Sequence, residues 1–313
     1  MDDGVQYLSP VEERWGEIAV YPEHMNEYAD RFLPRLREVW AADTPGHWIV
    51  GHMIALSCLL DVGRYDDLQE VLRLPGGRFW RGQRFGAEAL ARQGHVDAAV
   101  AYAERRRGIG VQDYEGWNID RFCEEVLLRA GRADDAYRLY GRRTGQGSTY
   151  LAVFRDTVRR YPDRDRRQVL LDLIDARGEK GKWFAAARDA GFLDIALECA
   201  RSGQTDPATL VRAARDLLAK DPAFSATVAL LALAGLVQGG GYDPAPGLVG
   251  EAFRFLTEAA SAINAMPWAL TEATRLTAGT CSAGREPMQR TLAGLLETMP
   301  PVLAPAECGT ACP

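Results

Sequence analysis

Histidine is scarce in this chain, with only His24, His47, His52 and His95 among 313 residues. None lies in a His-Glu-x-x-His run. His47 and His52 stand five apart, off a common helical face. A zinc site built from internal residues is therefore not expected, nor is any cofactor. The six cysteines (58, 123, 199, 281, 308, 312) lack the spacing of a disulfide framework and read as small hydrophobes of a reducing cytoplasm. Cys308 and Cys312, in a proline-containing tail, are the one pair that could take a soft metal or form a disulfide. The triple glycine at 239–241 follows a helical run and precedes no Gly-Lys-Ser/Thr, so it is not a phosphate loop. There is no Gly-x-Ser-x-Gly, and no carboxylate pair stands out as acid and base. No catalytic residue can be named, and an enzyme with an unrecognised site stays open as a reading.

Other absences bound the class of protein. The chain starts Met-Asp-Asp-Gly, without a basic and then apolar leader, so a secretory signal is not expected. The longest apolar stretch, 223–237, is shorter than the ~20 residues of a membrane span and reads as a helix buried on most sides. No membrane partner is expected, and the expected location is cytoplasmic. Net charge is −6, which gives the chain as a whole no basic footprint for nucleic acid. Sustained strand-type alternation is missing.

What is present is a repeat. Gly63, Gly94, Gly131 and Gly191 each precede an i, i+3, i+4, i+7 set, the signature of one face of an amphipathic helix. The sets are Tyr65, Leu68, Gln69, Leu72; Val96, Ala99, Val100, Ala103; Ala133, Ala136, Tyr137, Tyr140; and Leu193, Ala196, Leu197, Ala200. Alanine holds the second place in three of the four, where a neighbouring helix can approach closely. A second apolar-periodic segment precedes each glycine. The unit is thus helix, glycine turn, helix, with the glycine supplying a left-handed end to the first helix. Asp66, Asp97 and Asp134 fall near the start of the second, where carboxylates suit the helix dipole. One hairpin cannot bury its apolar face alone, so the units are expected to stack. The second and third align best, 37 residues apart: Trp80 with Trp117, Arg84 with Arg121, Glu88 with Glu125 and Arg92 with Arg129. A divergent unit is expected around 150–176, broken at Tyr161-Pro162.

The glycine, the small residue five on and the paired helices resemble tetratricopeptide-type repeats over roughly residues 50–200. The resemblance implies an all-α fold, an α/α superhelix of stacked hairpins with a concave binding face. A second resemblance covers about 115–260. It rests on Thr149-Tyr-Leu-Ala-Val-Phe-Arg-Asp, Gly181-Lys-Trp-Phe-Ala-Ala-Ala-Arg-Asp-Ala-Gly191 and Asp206-Pro-Ala-Thr-Leu-Val-Arg-Ala-Ala-Arg215. These look like a bacterial domain family of unknown function, sometimes found after a SWIM-type zinc finger. No Cys-x-Cys or Cys-x-His pair exists here, so that finger is absent. The expected organisation is N-terminal helices at 1–45, the repeat array at 46–205, C-terminal helices packed on it at 206–299, and a flexible tail at 300–313.

One feature points to a binding surface. Arg84, Glu88 and Arg92 lie four apart on one helical face, and Arg121, Glu125 and Arg129 repeat them. Such a column could line the groove and offer guanidinium forks to a carboxylate or phosphate. It could equally be a solvated face of ordinary helix pairs. Trp80 and Trp117 open the same helices, as rim contacts or as packing between units. The expectation drawn is a non-catalytic interaction module that binds a protein or peptide with acidic groups through these eight residues. Nucleic-acid association through Arg105–Arg107, Arg142-Arg143 and Arg164–Arg167 is the alternative, and so is a carrier of a functional cysteine tail.

Overall fold

The computed structural model describes residues 9–42, 51–108, 114–241, 245–278 and 286–299, and all regular structure among them is helical, with no strand. The chain forms two compact units, Met1–Gly145 and Gln146–Pro313. The expected array at 46–205 is thus shared between them. Cys281, Cys308, Cys312 and the tail 300–313 lie outside the described residues.

In the first unit, α1 (Ser9–Glu13), α2 (Trp15–Ala19) and α3 (Pro22–Ala41) precede three hairpins. These are α4 (His52–Asp61) with α5 (Tyr65–Leu72), α6 (Trp80–Arg92) with α7 (Val96–Glu104), and α8 (Tyr114–Arg129) with a stretch opened by α9 (Ala133–Ala136). That last stretch widens into a π-turn at Tyr137–Gly141 before α10 (Arg142–Thr144), a departure from the regular helix expected there. The π-turn keeps Tyr137 and Tyr140 both buried and lets the Tyr140 hydroxyl donate to Glu104 over 2.8 Å.

The hairpin turns follow from the glycines. Gly63, Gly94 and Gly131 have φ of 76°, 82° and 73°. At each, the next residue's N–H bonds a carbonyl five back: Arg64 to Leu59, His95 to Leu90 and Arg132 to Leu127, each at 2.9 Å. These are Schellman ends, open to any side chain sterically but strained for all but glycine. Behind them the small second-place residues sit where helices meet, with Ala99 and Ala136 fully buried. The core of the unit packs Met25, Leu36 and Trp40 of α3 against Met53, Leu56 and Leu59 of α4.

The second unit contains α11 (Tyr150–Arg160) and α12 (Arg166–Arg177), separated at Tyr161-Pro162 as the sequence predicts. A 3-10 turn, Lys180–Trp183, leads into α13 (Phe184–Asp189), and Gly191 (φ 87°) turns the chain into α14 (Leu193–Arg201). There follow α15 (Pro207–Leu217), α16 (Pro222–Val237), α17 (Pro246–Ala262), α18 (Met266–Thr277) and α19 (Glu286–Glu297). The apolar run lies in α16, which packs between α15 and α17. No described helix is long and apolar enough to cross a membrane. Gly181 sits so close to the backbone of Gln204 that a Cβ there would lie 2.4 Å from its carbonyl carbon, and Thr205 donates to the Gly181 carbonyl over 2.8 Å. Close packing thus accounts for that glycine.

Candidate functional site: a charged groove on the first helices

The first helices of the three hairpins, α4, α6 and α8, pack in succession. Counting back six and two residues from each turn glycine gives Ser57 and Asp61, then Glu88 and Arg92, then Glu125 and Arg129. All six line one groove of about 550 Å³. Arg84 joins them from α6, and Glu13 of α1, Glu17 of α2 and Arg14 between them close one side. Leu60, Phe85, Phe122 and Leu128 supply apolar lining.

Within the groove the charges pair across helices more than along them. Arg129 makes a two-pronged contact with Glu88 of the preceding first helix, at 2.7 and 2.6 Å, rather than with Glu125 one turn before it. Arg92 reaches Asp61 of α4 at 2.5 Å and its own-helix neighbour Glu88 at 3.4 Å. The i, i+4 pairing expected from the sequence is present at Arg121–Glu125, 2.8 Å. Arg84 lies over the Phe85 ring, 5.1 Å from its centroid, and pairs with Glu13 at 2.9 Å. Arg81, one turn before Arg84, holds the same Glu13 carboxylate at 2.7 Å.

Burial is the largest influence on Glu88 and pushes its pKa up, but the two bonds from Arg129 and the charge of Arg92 outweigh it and hold the carboxyl below the usual range. Arg129 is raised in turn, first by its hydrogen bond to Glu88. Glu88 is therefore an ionised partner at neutral pH, suited to electrostatic contact rather than to donating a proton. The lining has five carboxylates (Glu13, Glu17, Asp61, Glu88, Glu125) and four guanidiniums (Arg14, Arg84, Arg92, Arg129), a net charge of −1.

Of the eight residues singled out in the sequence, Arg84, Glu88, Arg92, Glu125 and Arg129 line the groove. Arg121 lies on α8 outside the lining. Trp80 is buried and packs edge-on against Phe122, centroids 5.4 Å apart, so it joins two hairpins and does not rim the groove. Trp117 is exposed and also lies outside the lining. The sequence reading missed Asp61 and Glu13. Asp61 was detectable, because it occupies the register of Arg92 and Arg129 with the opposite sign. Glu13 carries no such signal, since it lies outside the repeats.

Five arginines of the basic clusters are drawn into acid pairs or onto rings. Arg107 contacts Glu104 and Asp120, Arg143 contacts Asp120, and Arg167 contacts Asp194. Arg105 and Arg106 lie over Tyr102. Burial pushes the Cys58 and Cys123 thiols up to about 12 and Cys199 to about 11, so none is poised as a nucleophile. Among the described residues no group of three His, Cys, Asp or Glu could hold a metal ion.

No family model matches the chain, and neither a curated protein nor a solved structure is similar to it. The functional reading therefore rests on the groove itself.

Proposed function

We propose that the first unit is a non-catalytic interaction module that takes a protein or peptide segment into this groove. In this reading the stripe shared by α4, α6 and α8 is the inner face of a tetratricopeptide-like stack of hairpins. The observation that carries it is the convergence of one repeated register from three successive helices on a single concave surface of about 550 Å³. Apolar lining residues supply affinity by taking an apolar side chain out of water. Charged walls supply orientation, since a ligand carboxylate can exchange with Glu13 at Arg84 or with Glu88 at Arg129. Net-negative lining disfavours a polyphosphate backbone, which argues against nucleic acid at this face.

Selection of a random displayed-peptide library on the full chain tests the reading. Peptides that combine an acidic with an apolar residue are expected to enrich. Their affinity should fall by about tenfold or more, roughly 1.4 kcal/mol, in the Arg84→Ala, Arg129→Ala double variant. Both arginines pair with part-buried carboxylates, so the double variant should lose about 1–2 kcal/mol of stability while its helical circular dichroism is unchanged. Selection of peptides without acidic residues, or binding that ignores the double substitution, would count against it.

A further inference from the structure

The groove is already partly occupied by the chain itself. Glu13 places its carboxylate between Arg81 and Arg84 of α6, at 2.7 and 2.9 Å. Arg14 and Glu17 continue along the same wall. Gly16 lies against α4, its N–H donating to the Ser57 hydroxyl over 2.9 Å. The approach is so close that a Cβ on Gly16 would lie 2.0 Å from the Asp61 carboxylate.

Three observations mark this attachment as one that can open. Among residues 10–20 only Gly16 is buried. Val11 and Ile18 of this stretch are exposed, as are Val20 and Tyr21 at its end, and only Trp15 and Ala19 pack partly against the core, so modest apolar burial holds it down. The link to α3 is also strained. Val20 has φ 62° and ψ −43°, and the Tyr21 N–H bonds the Ala19 carbonyl across it at 2.6 Å. That is a γ-turn with positive φ, a rare and strained conformation, centred on a β-branched residue.

We propose that residues 9–19 are a displaceable internal occupant of the groove, and that a partner enters by putting its own carboxylate between Arg81 and Arg84 in place of Glu13. The inference rests on the groove being a peptide site. Charge supports an acidic partner. With α1 and α2 lifted away, the remaining lining is three carboxylates against three guanidiniums. Arg81 and Arg84 then lose the Glu13 counter-charge. The segment's own Glu12, Glu13 and Glu17 against Arg14 show the sign that fits there. Trp15, edge-on to Tyr28 at 5.6 Å, is the main apolar contact that opening must break.

The test uses full-length protein and a fluorescein-labelled synthetic peptide with the sequence of residues 9–19, read by anisotropy. In the wild type the internal segment excludes the probe. Glu13→Arg repels Arg81 and Arg84 and opens the site, so the probe should bind this variant at least about tenfold more tightly. Adding Arg84→Glu restores an internal pair of reversed sign and should abolish the gain. Equal, weak binding to wild type and Glu13→Arg would overturn the proposal. Hydrogen exchange on the wild type gives an answer independent of any variant's folding. Amides of 9–19 should exchange at least about a hundredfold faster than those of α4, and exchange as slow as α4 would equally overturn it. Library-selected peptides separate the two readings. If they need Arg129 but bind wild type and Glu13→Arg alike, the groove reading stands and the displacement falls. If only the 9–19 probe binds the opened variant, the internal occupant stands and the partner reading falls.

Discussion

The two units begin their helices differently. In the second, α11, α12, α15 and α16 each start on a side-chain cap: Thr149 accepts from the Ala152 N–H, Asp165 from Gln168, Asp206 from Thr209 and Asp221 from Phe224. In the first unit no helix with a described N-cap has a side-chain cap bond. Its charges are used between helices instead. Arg37 reaches Asp67 and Glu70, Arg64 reaches Asp30, Arg92 reaches Asp61, Arg129 reaches Glu88, and Arg132 reaches Asp97. A capped helix fixes its own start from local sequence. Helices joined by ion pairs fix their neighbours' positions, and their charged faces necessarily lie along the seams between units. The groove belongs to the unit built the second way.

The sharpest way to break that unit is through its seams. Ala99 and Ala136 are fully buried where helices meet. Ala99→Trp or Ala136→Trp should each destabilise by about 1–3 kcal/mol or more, through overpacking that close-packed helices cannot absorb. Thermal melting checks it. A wild-type melting temperature in both variants would mean these alanines face free space.

Next in size is the groove pair. Glu88 is only 17% exposed and carries two arginines. Glu88→Gln should cost about 1–2 kcal/mol at pH 7, between the values for exposed and buried pairs. Because the folded-state pKa of Glu88 is depressed, its contribution is fully present above the ordinary carboxylate value and is lost as pH falls through the lowered one. Wild type and Glu88→Gln should therefore converge in stability on acidification below about pH 4. A difference that persists at low pH would show that the amide, and not the lost charge, is at fault.

The caps give the counterpart in the second unit. Asp206→Ala and Asp221→Ala should each lower stability by about 1 kcal/mol, within the usual 0.5–2 range. Urea melts that show no loss would remove the contrast between the units.

How much of this was legible in the sequence follows from the range of each interaction. The turn glycines, the buried alanines and the break at Tyr161-Pro162 are encoded within a few residues of themselves, and they lie where the periodicity puts them. The arginine column was visible, but its pairing was not. A helical i, i+4 rule assigns Arg129 to Glu125, whereas the folded chain brings Glu88, 41 residues away, within 2.6 Å. Only the shared register of Asp61, Arg92 and Arg129 hinted that neighbouring helices would be linked. The π-turn at Tyr137–Gly141 and the docking of Glu13 depend on contacts with other helices, and periodicity carries no trace of them. Within the N-terminal helices expected at 1–45, the break at Val20 between α2 and α3 is likewise not marked by periodicity.

That interruption yields the smallest effect and the finest probe of the first unit. A non-glycine residue held at a sparsely populated backbone angle costs about 1–3 kcal/mol, and Val20 is β-branched as well. Its side chain is 66% exposed, so replacing it loses little burial. Glycine would remove the strain but add about 0.5–1 kcal/mol of chain entropy to the unfolded state. Val20→Gly should therefore raise stability by about 0–2 kcal/mol and slow hydrogen exchange over residues 9–19. Val20→Ala is the control, because alanine keeps a Cβ at positive φ and should gain almost nothing. If alanine matched glycine, the benefit would come from losing an exposed valine, and the junction would not be under strain. If glycine instead sped exchange over 9–19, flexibility at the junction would outweigh strain relief, and the segment would be held to the groove by its docking contacts rather than poised against them.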